Sequence, residues 1–300
     1  MKDIVPSVKV TGATGFVGCA LVKELRRRQT PLLLPRELEI SKDRVGDVST
    51  VIHLAARVHV MHDTAADPLA AFREVNVDAT VNLAEQAAAA GVRRFVYLSS
   101  IKVNGEATPS NHPLTEHDLP APQDPYAISK WEAEQGLRKI SDHTGMELVI
   151  IRPPLVYGLG VKANFSALMR AVQRGFPLPL GSVRNMRSLV ALDNLVDFIV
   201  VCAIHPAAAN QTFLVSDGQD MSTPDLIRAM ARAAGVPARL VPFPIRALKT
   251  LARFIAREAA LERLSGNLQV DITKAREVLG WTPPVDVDEA LRRCFVRSPS

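Results

Sequence analysis

Two kinds of hydrophobic pattern alternate along the first half of the chain. Val8–Val10, Leu32–Leu34, Val51–Leu54, Phe95–Leu98 and Leu148–Ile151 are short apolar runs near turn residues and read as strands. Between them, Val17–Arg28, Phe72–Ala90 and Tyr126–Thr144 are longer, Ala-rich and read as helices. Strand–helix alternation predicts a mostly parallel, doubly wound α/β sheet covered on both faces. Beyond about residue 152 Pro, Gly and irregular links become frequent, as in Arg152–Gly160 and Phe176–Arg187. The expected division is residues 1–157 for the sheet and 158–300 for a smaller α/β lobe, with strands free to cross back. No internal repeat stands out.

One place resists this scheme. Gly46-Asp47-Val48 reads as the end of a strand, yet Val51 starts the next one, leaving only Ser49 and Thr50 between them. Neighbouring parallel strands need a crossover of about a dozen residues or more. Either the sheet is unusual here or one crossover helix is absent, and the second is the expectation.

The chain has 300 residues, 47% hydrophobic and 22% charged, an ordinary globular balance that excludes a disordered, collagen-like or coiled-coil protein. Lys and Arg total 36 against 31 Asp and Glu, a net charge of +5. That excess suits an anionic ligand such as a nucleotide and equally a plain solvated surface. Only 5% of residues are aromatic and none interleaves with a basic run, so no nucleic-acid partner is expected. Cys19, Cys202 and Cys294 are scattered, with no CxxC pair, which points to reduced thiols and a cytoplasmic setting. The most apolar late stretch, Leu189–Ile204, contains Asp193, Asn194 and Asp197, so no integral membrane segment is expected. His59 and His62 have no third ligand at a diagnostic spacing, and no metal is expected. Ile245–Leu264, with Arg246, Lys249, Arg253, Arg257 and Arg263, reads as an amphipathic lobe helix with a solvated basic face.

Chemistry enters with Thr11-Gly12-Ala13-Thr14-Gly15-Phe16-Val17-Gly18, between the first strand and the first helix. Gly12 permits a tight turn, Gly15 lets backbone approach a pyrophosphate, and Gly18 lets helix pack on strand; Thr14, Phe16 and Val17 complete the loop and the helix N-terminus. That N-terminus offers unpaired N–H groups and a positive dipole end to the anion. The expected ligand is a dinucleotide, NAD or NADP.

Tyr126-Ala127-Ile128-Ser129-Lys130 places a phenol and an ammonium one helical turn apart on the same face. A phenol of pKa about 10 is a poor base at neutral pH, and a nearby ammonium favours the phenolate. The pair can exchange a proton with a hydroxyl while hydride moves to or from a nicotinamide.

With GxxGxxG spacing, YxxxK, and a strand ending in Ser99-Ser100, the chain resembles the extended short-chain dehydrogenase/reductase family, the NAD-dependent epimerases and dehydratases of nucleotide sugars, over about residues 8–290. The resemblance implies a Rossmann-type sheet with a C-terminal substrate lobe. It implies that Arg36, closing the second strand beside Glu37, bears on the choice between NAD and NADP, which stays open. It places Asp47 and Val48 at the adenine, Leu54, Ala55 and Ala56 under the cofactor, and Ser99 and Pro153 near the nicotinamide, with Lys130 also among the cofactor contacts and Asn76 in support. Ser100 becomes the catalytic hydroxyl; Lys102 and Asn104 lie near the sugar, and Asn164 and Arg187 at the nucleotide diphosphate. Ile101 and Lys102 stand where the family's dehydratases carry an Asp-Glu pair, which disfavours dehydration. The segments Ser99–Glu106 and Gly160–Phe165 most resemble reductases of UDP-linked 4-keto-6-deoxy-N-acetylhexosamines. A UDP-hexose 4-epimerase is the alternative, and a cofactor-binding regulator without catalysis a third reading. The implied partner is a UDP-sugar; a homodimer is left open.

Overall fold

A computed structural model describes residues 7–34, 48–58, 67–254 and 258–295. β1 (Ser7–Thr11) leads into α1 (Phe16–Arg27), which returns the chain to the two-residue strand β2 (Leu32–Leu33). β3 (Val48–His53) lies on the other side of β1. From there α2 (Pro68–Arg73), a π-helical turn at Glu74–Asp78 and α3 (Ala79–Ala89) cross to β4 (Arg94–Leu98), and α4 (Pro125–Thr144) crosses to β5 (Glu147–Arg152). The chain then builds β6 (Leu155–Tyr157), α5 (Ala163–Gln173), β7 (Leu189–Ala191) and α6 (Leu192–Ile204) before returning to the main sheet as β8 (Gln211–Leu214). It ends with α7 (Thr223–Ala234), α8 (Ile245–Phe254), α9 (Glu258–Ser265), α10 (Thr273–Leu279) and α11 (Val287–Phe295).

The main sheet has the order β2-β1-β3-β4-β5-β8, with every pairing parallel. Succession runs one way from β1 to β2 and the other way from β3 onward. The carboxyl ends of β1 and β3 therefore flank a topological switch point, where open α/β sheets bind ligands.

Both faces are covered, as the alternation predicts. On one face Leu21 and Leu25 of α1 and Phe198 and Ile199 of α6 are fully buried, and the Phe198 ring meets Phe213 at 5.8 Å and Trp281 at 4.7 Å. On the other face Leu83 of α3 and Ala133 and Leu137 of α4 pack with Val51, Phe95 and Tyr97 of the strands. β6 and β7 form a separate two-stranded sheet, and a second core gathers Tyr157, Phe165, Leu189, Met230 and Leu291. The residues after 157 do not all belong to that core: α6, β8 and α10 pack in the first, so the two cores interleave along the chain.

Three sequence expectations change. The helix expected over Phe72–Ala90 is broken by the π turn, whose extra residue per turn a hydrophobic pattern does not reveal. Val48 opens a strand instead of closing one: β3 runs unbroken to His53. β2 and β3 thus flank β1 and are linked by residues 34–47, which meets the crossover length. Val48 consequently lies buried at the amino end of β3, among Val51, Leu83 and Phe95, with the whole strand between it and the ligand-binding end. It is not placed to touch an adenine; Arg36 and Asp47 lie outside the described residues, as do His59 and His62. The segment expected as one basic helix is α8 followed by α9, with residues 255–257 between them outside the described set.

Phe198→Ala should remove the ring that α6 wedges between Phe213 and Trp281, costing about 3–5 kcal/mol as for other buried aromatics. The urea midpoint reads this loss.

Candidate active site

The glycines come first because they decide how closely three segments can approach. Gly12 has φ +69, and a Cβ there would stand 2.6 Å from the Ala55 nitrogen and 2.8 Å from the Leu54 carbonyl carbon. A Cβ on Gly18 would overlap the Gly12 carbonyl oxygen and lie 2.8 Å from the Ala13 Cα. The loop, the first turn of α1 and the exit of β3 are thus in backbone contact, tied further by Leu54 N–H to the Thr11 carbonyl (3.2 Å). Gly15 is the N-cap of α1 and is exposed, as is Thr14, while Phe16 and Val17 are half-buried. No side chain caps α1 and its first turn holds no acid, so its N–H groups stay free for an anion. This cradle fits a dinucleotide pyrophosphate, with Leu54, Ala55 and Ala56 beside it.

At the same end of the sheet, β4 stops at Leu98 and the chain turns through Ser99 and Ser100 into a 3₁₀ turn, Ile101–Val103. Ser100 caps that turn, its Oγ accepting from Lys102 N (3.3 Å). α4 begins opposite it, with Asp124 as N-cap (Ala127 N to Asp124 Oδ1, 2.7 Å) and Pro125 in the first turn. The first turn of α4 thereby brings the Tyr126 phenol close enough to Ser100 for the serine to act on its pKa. One turn on, Lys130 is buried, its Nζ 4.1 Å from the centroid of the Tyr97 ring. Ser100, Tyr126 and Lys130, proposed from sequence at separate points, are gathered by the first two turns of one helix and one strand end. Burial pushes the Tyr126 phenol up to about 12, reinforced by Asp124 and opposed by Ser100. Burial pulls the Lys130 ammonium down to about 7, against the pull of Glu134.

Several residues singled out from sequence also hold this geometry. Lys102 Nζ bonds Asp124 (2.5 Å) and Glu106 (2.6 Å), stapling the Ser100 turn to the start of α4. Asn104 is buried; its Oδ1 accepts from Arg152 Nη1 (2.9 Å) and its Nδ2 donates to the carbonyls of Thr115 (3.4 Å) and Asp118 (3.3 Å). Ser99 Oγ donates to Glu134 (2.5 Å), whose carboxylate also takes Arg152 Nε (3.0 Å) and Nη2 (2.5 Å). Pro153 is buried and offers its carbonyl to Ile101 N (3.0 Å), fixing β5 to the Ser100 turn. Asn76 lies in the π turn, fully buried: its Oδ1 accepts from Arg57 N (2.7 Å), and its Nδ2 donates to the Arg57 carbonyl (3.0 Å) and to Ser129 Oγ (3.0 Å). It joins the segment beneath the cradle to the residue next to Lys130.

Sequence reading missed Asp124, Tyr97 and Glu134. Asp124-Pro125 is a helix-start signal and Glu134 follows Lys130 by one turn, so both were findable; nothing in the sequence marked Tyr97. At the far end, Asn164 is exposed in the first turn of α5. Arg187 is half-buried, its Nη1 donating to the Gly266 carbonyl (3.0 Å), and among the described residues it makes no ion pair. Burial lowers its pKa, so an anion there would relieve a desolvated guanidinium.

A parallel sheet with a phosphate cradle at its switch point, and a Ser–Tyr–Lys group at the same carboxyl end, defines a dinucleotide-dependent enzyme of hydride and proton transfer. The NAD dependent epimerase/dehydratase family matches residues 8–216, and the chain belongs to it. A UDP-glucose 4-epimerase of Vibrio cholerae is 46% identical over 307 aligned positions, which take in 96% of this chain and 94% of the relative. Those positions outnumber the residues this chain contributes, so the relative carries residues without a counterpart here. A GDP-6-deoxy-D-mannose reductase of Pseudomonas aeruginosa is 27% identical, covering 94% of each chain. The structure of a Thermotoga maritima UDP-glucose 4-epimerase with UDP-glucose superposes with a TM-score of 0.75 at 21% identity, covering 96% of this chain and 97% of that one. Among the described residues, no helix is long and apolar enough to cross a membrane.

Gly18→Ala should drive a methyl group into the Gly12 carbonyl and open the cradle. Calorimetric titration with NAD is expected to show no binding at concentrations that saturate the parent protein.

Proposed function

We propose that the chain is a UDP-hexose 4-epimerase, inverting the C4 hydroxyl of a UDP-glucose-type or UDP-N-acetylhexosamine substrate. The observation that carries the choice is the 46% identity, over nearly the full length of both chains, with the Vibrio UDP-glucose 4-epimerase. It outweighs the local likeness of Ser99–Glu106 and Gly160–Phe165 to 4-ketoreductases, and within the first of these segments Lys102 and Asn104 are engaged in holding the Ser100 turn. Dehydration lacks its acid–base pair: Ile101 is buried and Lys102 is ion-paired.

A bound nicotinamide supplies the acceptor and donor of hydride. The chain supplies the rest. Ser100 and Tyr126 address the same sugar oxygen, the serine donating or accepting a hydrogen bond while the phenol exchanges the proton. Lys130 favours the phenolate electrostatically from one turn away. Burial and Asp124 raise the Tyr126 phenol to about 12 against the pull of Ser100, so proton abstraction at neutral pH needs further stabilisation of the phenolate, the role proposed for the Lys130 ammonium. Arg187, a desolvated guanidinium with no carboxylate partner among the described residues, and Asn164 at the start of α5 are the proposed diphosphate contacts. The first lobe through β6 would hold the dinucleotide and the interleaved second core the UDP end.

Purified protein is expected to interconvert UDP-glucose and UDP-galactose, or their N-acetyl forms, without added nicotinamide, because an epimerase returns the hydride it removes. Stoichiometric NAD(P)H consumption with a 4-keto sugar, and no interconversion, would replace this reading with the reductase. Tyr126→Phe is expected to abolish turnover and leave NAD affinity within a few-fold, measured by steady-state kinetics beside calorimetry. Arg187→Ala should weaken UDP-sugar binding by about 1.5–3 kcal/mol, the usual worth of a charged hydrogen bond; unchanged affinity would remove Arg187 from the site.

A further inference from the structure

The chain leaves the main sheet for the second core at two neighbouring strand ends. β5 runs through Pro153 and Pro154 straight into β6, which ends at Tyr157. β8 continues past Leu214 to Asp217. Arg152 and Leu214, the last residues of β5 and β8, are direct partners in the sheet. The two exits therefore start side by side, and one hydrogen bond joins them again further out. The Tyr157 hydroxyl donates to Asp217 Oδ2 (2.8 Å).

Asp217, half-buried, binds more than Tyr157. Its Oδ1 accepts from the Ala191 N–H (2.8 Å), where β7 turns into α6, and from Asn194 Nδ2 (2.8 Å) on that helix. Asn194 in turn exchanges two bonds with the backbone of Val285 (2.8 and 2.9 Å), just ahead of α11. The Asp217 N–H donates to the Leu189 carbonyl (2.8 Å). Four residues on, Met221 exchanges two backbone bonds with Arg187 (3.0 Å each). The segment Asp217–Met221 thus runs along Arg187–Ala191, fixing it by main chain at one end and by carboxylate at the other. The buried Tyr157 ring carries the same placing to α5, stacking on Phe165 at 5.4 Å and 26°, next to Asn164. Little slack is left there: a Cβ on Gly158 would stand 2.6 Å from the Leu192 Cβ.

We propose that Asp217 is a positioning residue for the nucleotide-diphosphate end of the site, holding Arg187 and Asn164 in place relative to Ser100 and Tyr126. A carboxylate suits the junction because its two oxygens accept from several segments at once. Losing it would leave the Tyr157, Ala191 and Asn194 donors unpaired in a site largely closed to water, which costs more than the bonds contribute. Arg152 bonds Glu134 and Asn104 at the Ser100 turn and is the register partner of Leu214. Proton-transfer group and diphosphate contacts are thereby referred to one pair of strand ends. The inference rests on the reading of Arg187 and Asn164 as diphosphate contacts only for its effect on binding; the anchoring itself is measurable without a ligand.

The test compares Asp217→Ala with Asp217→Asn, whose amide can still accept from Ala191 and Asn194 and donate to the Tyr157 oxygen. Hydrogen exchange at the Arg187 amide, which bonds Met221 and not Asp217, should quicken in the alanine variant and recover in the asparagine one. Exchange in β1 and α4 should stay as in the parent. Calorimetric titration with UDP should show affinity falling about ten- to a hundredfold in Asp217→Ala, as for a displaced binding group, with NAD affinity retained. With Arg187→Ala and Asn164→Ala already in place, Asp217→Ala should weaken UDP binding little further, because coupled sites are not additive. Unchanged exchange at Arg187 would overturn the proposal. So would parental UDP affinity in Asp217→Ala where Arg187→Ala weakens it. If Asp217→Ala fails to fold, Tyr157→Phe, which removes one hydroxyl, must quicken exchange in α5; parental protection there overturns the proposal equally. Faster exchange in a protein whose UDP affinity ignores Arg187→Ala would sustain the anchor and sink the diphosphate reading alone.

Discussion

A carboxylate with no exposure to water organises the catalytic end of the sheet. Glu134 sits in the middle of α4, and leaving it unpaired would cost several kcal/mol. Arg152, the last residue of β5, answers it with two bonds. Arg152 is itself buried and hands a third N–H to Asn104, which is locked by two loop carbonyls. Ser99 closes the set. One charge therefore binds α4, β5, the strand-end turn and the Thr115–Asp118 loop into a single body. Ser100 and Tyr126 owe their proximity to it, although neither touches Glu134. A buried ion pair is a weak source of stability beside a well-packed apolar substitute. Here its yield is position.

The amino-acid pattern exposed most of this architecture for physical reasons that can be traced element by element. β4 and β5 are short, β-branched and aromatic runs buried on both faces, so their strand reading was secure. α4 was legible from its long Ala-containing run Tyr126–Thr144, while its caps, Asp124 with Pro125 at the start and Gly145 in the left-handed conformation at the end, emerge from the structure. Gly12 and Gly18 were legible because no other residue fits where they stand. The failures have equally local causes. Gly46-Asp47-Val48 reads as a strand end in sequence, whereas three-dimensional pairing with Ser7 makes Val48 the start of β3. Lys102 and Asn104 lie close to the site in sequence, yet their side chains find partners far along the chain, at Asp124 and Arg152, which no pattern predicts. Tyr97 was invisible because an aromatic on a buried strand is ordinary core until something charged is found above it.

The site also depends on contacts that contribute no chemistry. Three backbones meet at Gly12 with no room for a methyl group. The cradle is thereby fixed to β3, and β3 to β4 through His53 and Tyr97. Long side chains on the surface play little part in this: pairs such as Arg232–Asp288 are exposed at both ends and contribute little.

The π turn at Glu74–Asp78 places a further condition on the molecule. Regular helix on either side means that this single irregularity sets the phase between α2 and α3. Asn76 reaches both Arg57 and Ser129 only from within it. Chain length in that stretch is thus as constrained as side-chain identity: deleting one residue would heal the helix, rotate everything upstream by about a quarter turn, and carry the asparagine away from both its partners. The segment is thus constrained in its number of residues, which substitution experiments alone do not probe.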